Sequence, residues 1–167
     1  IMNLLEDLAS LEQHPMNALQ SAVAALGGYE DSRGIDFEED VESVIGIGQS
    51  ITAKIATITA AYFRLRNGEA PIDPRDDLSH AANFLYMMHG EVPDDAEIEA
   101  MDTSLQIHMD HGTNASTFTS RVIASTLASP YQAIAGGIGA LAGSLHGGAN
   151  QDFVSLLEDI EASEKDI

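Results

Sequence analysis

Cysteine is absent from the sequence, which rules out a disulfide framework, a thiolate zinc site and a thiol nucleophile together. Its absence agrees with a cytoplasmic location. Cations are nearly as scarce: 7 Lys and Arg stand against 27 Asp and Glu, Lys54 and Lys165 are the only lysines, and the net charge is −20. A nucleic-acid partner is excluded on that ground, because phosphate binding depends on neutralising cations that this surface lacks. The same charge repels an anionic membrane face and slows anionic substrates at low salt. Salt relieves the repulsion, since the Debye length falls to about 3 Å at 1 M. The surface therefore reads as that of a halophilic protein.

Also missing are an internal repeat, a low-complexity tract and any convincing series of strands, so the class is all-α. Residues 1–11 lack the basic start and small-residue cleavage site of a signal peptide. Position 1 is not methionine, which suggests a chain that begins inside something larger. Charge is lacking throughout 122–145, a run long enough for a membrane span. Pro130 in its middle, the many Ala, Gly, Ser and Thr, and the want of a basic flank beyond Arg121 argue instead for two buried helices.

What is present is helical periodicity. Leu4, Leu5, Leu8 and Leu11 mark a short amphipathic helix. A second begins at His14-Pro15-Met16 and runs to Gly27-Gly28, which should stop it. After an acidic connection, Val44, Gly48, Ile51, Ile55, Ile58, Tyr62 and Leu65 predict a long core helix closed by Arg64, Arg66 and Gly68. Asp77 or Ser79 caps a helix over 78–89, and His80 and His89 read as residues of its first turn and its end. In the next helix Ile98, Met101, Leu105 and His108 share an apolar face, which makes His108 an interior histidine. The two uncharged helices are expected over 114–128 and 130–142, where Gly136, Gly137, Gly139 and Gly143 permit close packing, within the chain or between subunits. The glycine spacing also imitates a phosphate loop, but no strand precedes it. Phe153, Leu156, Leu157 and Ile160 mark a last helix starting near Asn150.

Two histidines stand just before helix starts, in His111-Gly112-Thr113-Asn114 and in Leu145-His146-Gly147-Gly148-Ala149-Asn150. A helix N-terminus presents free N–H groups and partial positive charge, which favours anions and a neutral imidazole over its cation. Such a ring can donate a hydrogen bond to a forming enolate. A rival chemistry is metal binding by His108-Met109-Asp110-His111, two imidazoles and a carboxylate at helical reach.

The residues Asp110-His111, Asn114-Ala115-Ser116-Thr117-Phe118, Arg121 to Leu127, Gly139-Ala140-Leu141 and Leu145 to Asn150 resemble the central block of citrate synthase. His14-Pro15-Met16, the Lys54 to Ile58 region and the stretch from Pro74 to Phe84 agree with it. The resemblance implies a helical large domain over 1–147 and the first helix of a small domain over 148–167. It implies condensation of acetyl-CoA with oxaloacetate to citrate and CoA, no permanently bound cofactor, and a homodimer joined through the small-residue helices. His146 would polarise the thioester carbonyl, while His111 and Asn114 would contact oxaloacetate. The family's Gly-x-Gly-His segment, its aspartate base and its carboxylate-binding arginines have no counterpart here, so the chain carries only part of an active site. A 2-methylcitrate synthase using propionyl-CoA resembles these motifs equally, and a helical association module without activity is the non-enzymatic alternative. For the halophilic reading, the unfolding midpoint is expected to rise between low and molar KCl in a thermal melt; a midpoint that stays level removes it.

Overall fold

The apolar positions fall every three or four residues, and the backbone follows that period. The computed structural model describes residues 1–29, 40–148, 152, 154–156 and 158. Among them the chain forms α1 (Met2–Ser10), α2 (Pro15–Tyr29), α3 (Val41–Arg66), α4 (His80–His89), α5 (Asp95–Met109), α6 (Ala115–Ala124) and α7 (Pro130–Leu141), with no strand. The all-α expectation holds. The acidic connection before α3 and most of the expected last helix lie outside the described residues.

The centre of the core is α2. Its buried Ala18, Ala22, Val23 and Leu26 meet Leu5 of α1, Ile51, Ile58 and Tyr62 of α3, and Tyr131, Ala135 and Ile138 of α7. Complete burial of Leu5 contributes about 1.5–3 kcal/mol. The glycines expected to end α2 lie within it instead. A Cβ on Gly27 would stand 3.0 Å from the Cβ of Tyr131, so the glycine makes room for that ring rather than for a turn. Burial in turn pushes the Tyr131 hydroxyl pKa up.

By length and composition α3 is apolar enough to cross a membrane. Its second half instead packs into the core through Ile58, Ala61 and Tyr62, and it carries Glu42, Lys54, Arg64 and Arg66. Gly68, at φ +74°, ends it in a Schellman turn: its N–H donates to the Leu65 carbonyl (3.1 Å) and that of Glu69 to the Arg64 carbonyl (2.9 Å). Arg64 reaches further than the helix end. It donates to the carbonyls of Ala70 (2.6 Å) and Met88 (3.1 Å) and pairs with Glu69 (3.0 Å), tying the following loop to α4.

Ser79 caps α4, accepting from the Ala82 N–H at 3.3 Å. Asp77, the other candidate cap, is gripped by both arms of Arg75 (2.9 and 2.7 Å), and this guanidinium holds the Asp77 carboxyl below the usual carboxylate range. A capping box of Asp94 and Glu97 starts α5. The placement of His108 in the interior is corrected: α5 has no buried residue, and His108 is exposed, with Nδ1 2.7 Å from the Ser104 carbonyl of its own helix. Among the described elements α5 packs on α4, and its apolar side chains Leu105, Ile107 and Met109 meet solvent.

Asn114 caps α6, which ends at Ala124, earlier than expected, because Leu127 turns left-handed at φ +59°. A short connection then leads to α7, so the uncharged run is two helices, as its Pro130 predicted. The two lie antiparallel in close contact. A Cβ on Gly136 would meet Ile123, and one on Gly137 would lie 2.4 Å from Ser120 Oγ and 3.3 Å from the Ser116 carbonyl. On its other side α7 meets α2, also antiparallel, with Gly139 against Gln20 and Tyr131 against Gly27. These glycines serve packing inside the chain.

Gly137→Ala is expected to destabilise by about 1–3 kcal/mol in chemical denaturation, since the methyl would fall 2.4 Å from Ser120 Oγ and press on the Ser116 carbonyl at 3.3 Å. Gly48→Ala, in the middle of α3 with open space around it, is expected to stabilise by roughly 0.5–1 kcal/mol.

Candidate functional site

The chain leaves α7 at Ala142 and folds back on itself within a few residues. The Gly143 carbonyl accepts from the N–H of both His146 (3.0 Å) and Gly148 (3.3 Å), which closes a tight turn. A Cβ on Gly147 would lie 2.3 Å from the Leu141 carbonyl oxygen, a backbone atom that cannot rotate away. Glycine is therefore demanded here by the approach of two backbones. The turn carries His146, half-buried, out of the end of α7 toward the start of α6.

There its ring meets Ser116. The serine Oγ and His146 Nε2 are 2.9 Å apart. The antiparallel packing of α6 and α7 produces this contact, since it sets the first turn of α6 beside the last turn of α7. Ser116 was not singled out by sequence reasoning, although it lies two residues past a residue that was. The available signal was the pairing of a small, donor-bearing residue in a first helical turn with glycines on the partner helix.

Asn114 lies at the same end. Its Oδ1 accepts from the Thr117 N–H (2.7 Å), which leaves its amide NH2 as a donor. With Ser116, Thr117, Arg121 and Ile138 it lines a cavity of about 430 Å³. His111 is placed differently. Its N–H donates to the Met109 carbonyl (2.9 Å) in the connection between α5 and α6, and its ring is exposed. The structure thus brings Asn114, Ser116 and His146 together and leaves His111 on the solvent side of the loop.

Among the described residues no group of three His, Asp or Glu side chains converges to hold a metal ion, the His108 to His111 stretch included. His80 lies exposed in the first turn of α4, and His89, at its end, meets Phe63 edge-on at 6.2 Å between ring centroids. What remains is an imidazole on a tight turn, held at one nitrogen by a hydroxyl and offering the other, beside a mainly apolar cavity into whose wall Asn114, Ser116 and Arg121 are set. Such an arrangement can donate a hydrogen bond to a carbonyl oxygen that gains negative charge.

Residues 1–167 match the family model for citrate synthase, C-terminal domain. The chain is 41% identical over 166 residues to a citrate synthase of Haloferax volcanii, covering 99% of this chain and 44% of that protein. It is 40% identical over 168 residues to a 2-methylcitrate synthase of Mycobacterium tuberculosis, covering 97% of this chain and 42% of that one. The crystal structure of citrate synthase from Pyrobaculum aerophilum superposes with a TM-score of 0.77 at 38% identity, over 95% of this chain and 41% of the other. The chain spans less than half the length of each of these proteins.

Ser116→Ala is expected to keep the fold, since a half-buried hydroxyl contributes only about 1 kcal/mol. It is also expected to move the 15N resonances of the His146 ring. Resonances that stay in place would show that the pair does not persist in solution.

Proposed function

The chain belongs to the citrate synthase family, and from that premise we propose that it carries part of the active site of a cytoplasmic enzyme that condenses acetyl-CoA with oxaloacetate to give citrate and CoA. The observation that carries this reading is the hydrogen bond between Ser116 and His146. When the serine hydroxyl donates to Nε2, the neutral ring must keep its proton on Nδ1. That N–H is then the donor for the thioester carbonyl of acetyl-CoA, and it strengthens as the acetyl group loses its α-proton and the oxygen becomes an enolate. One preorganised donor of this kind contributes about 3–4 kcal/mol to the transition state.

The enol carbon attacks the ketone of oxaloacetate, and water releases CoA from the citryl thioester. His111 and the Asn114 amide, both in the connection that leads into α6, are the groups assigned to oxaloacetate. The base that takes the α-proton is assigned to no residue of this chain. We assign association with a second copy to the apolar side chains left exposed on α5 and α6, among them Ile107 (66% exposed) and Phe118 (63% exposed). The likeness to a 2-methylcitrate synthase supports propionyl-CoA as the competing acyl donor.

Mixing acetyl-CoA and oxaloacetate with a protein that joins this chain to the missing base is expected to release free CoA, which a thiol-reactive dye reads without interference from this chain because it has no cysteine. Residues 1–167 alone, carrying part of the site, are expected to release none. His146→Ala is expected to lower turnover about 100-fold or more with the melting temperature unchanged. Faster release from propionyl-CoA assigns the other acyl preference. No release from either thioester by the protein that includes the base overturns the enzymatic reading in favour of an association module.

A further inference from the structure

His14 plays no part in the reaction as described, yet the fold brings it to the turn on which that reaction depends. Because α2 and α7 are antiparallel, the start of α2 lies beside the end of α7. A cavity of about 370 Å³ opens between them, lined by His14 and Met16 from the start of α2, by Ser144, Gly147 and Gly148 from the turn after α7, and by Asp152. His14 is exposed, and its Nδ1 accepts from the Met16 N–H at 3.3 Å, which in the neutral imidazole puts the proton on Nε2. Its neighbour Gln13 is clamped as well. The Gln13 carbonyl accepts from the Tyr62 hydroxyl and from Arg66 Nη1 (3.2 Å), which fixes this end of α2 to α3.

The His146 turn is supported on two sides, by Ser116 at the ring and by the Leu141 backbone beneath Gly147. Its remaining side faces the cavity that His14 lines. There a helix C-terminus presents carbonyl acceptors with no intrahelical partner, and the space is ample for bridging water.

We propose that His14 is a positioning residue for the His146 turn, its Nε2–H bonding through cavity water to the end of α7 and fixing the height at which His146 meets substrate. The inference rests on His146 as the condensing histidine. Two variants separate this role from helix capping. His14→Asn keeps an acceptor in place of Nδ1 but falls short of the cavity, whereas the longer His14→Gln puts an amide N–H where Nε2 stood. His14→Asn is expected to lower kcat roughly tenfold or more, with KM and melting temperature unchanged, and to shift the 15N resonances of the His146 ring; His14→Gln is expected to restore both. The proposal is overturned if His14→Asn leaves kcat and the His146 resonances as in wild type, or if the losses follow the melting temperature and His14→Gln does not rescue them. Should the wild-type protein release no CoA even with the base supplied, the enzymatic reading fails by itself, and the His146 resonances in the two variants still decide the role of His14.

Discussion

Ser116 reaches His146 because no side chain stands between α6 and α7 at Gly137. With a Cβ there only 2.4 Å from Ser120 Oγ and 3.3 Å from the Ser116 carbonyl, the helices are as close as a glycine allows. Interiors packed at crystal-like density transmit such a spacing without slack. A wider separation would carry the Ser116 hydroxyl beyond hydrogen-bond distance of the imidazole, and the ring would lose the partner that selects its tautomer. The catalytic proposal therefore stands on a packing distance before it stands on any charged group.

The order of the helices adds a second effect. Since α2, α7 and α6 lie side by side with alternating direction, the N-termini of α2 and α6 flank the C-terminal turn of α7. Antiparallel dipoles attract, and both N-termini leave N–H groups without intrahelical acceptors. In a chain of net charge −20 this has consequences for any anion that approaches this end, because few side-chain cations are at hand. Arg64 is engaged with Glu69, Arg66 with the Gln13 carbonyl, and Arg75 with Asp77. Near the His146 turn it is backbone dipoles, with Arg121 on α6, that oppose the acidic surface.

Much of this was legible from residue order. Period and capping chemistry located every described helix, and the glycines of α7 announced close packing. Local signals failed where a distant contact decided the outcome. Gly27 and Gly28 look like a helix stop, yet Tyr131, more than 100 positions away in sequence, packs on Gly27 and keeps the helix going. Asp77 and Ser79 are equal as caps until Arg75 takes the carboxylate. The face of α5 was read correctly as apolar, but periodicity says nothing about whether a partner covers it, so His108 was placed inside when it is outside. For the site, the resemblance supplied His146, His111 and Asn114; Ser116 emerged only once the crossing of α6 and α7 was known.

The uncovered face and the acidic surface are parts of one problem. Apolar side chains such as Ile107, Met109 and Phe118 favour association, while two bodies of charge −20 repel one another at low ionic strength. Salt weakens the repulsion and leaves the apolar contribution in place, so a single variable controls both the self-repulsion of each copy and the approach of the second. Association coupled to folding would make stability depend on protein concentration as well as on salt. The acidic surface and any pairing of copies then answer to one variable: the charge that keeps copies apart in dilute solution weakens as the solvent screens it.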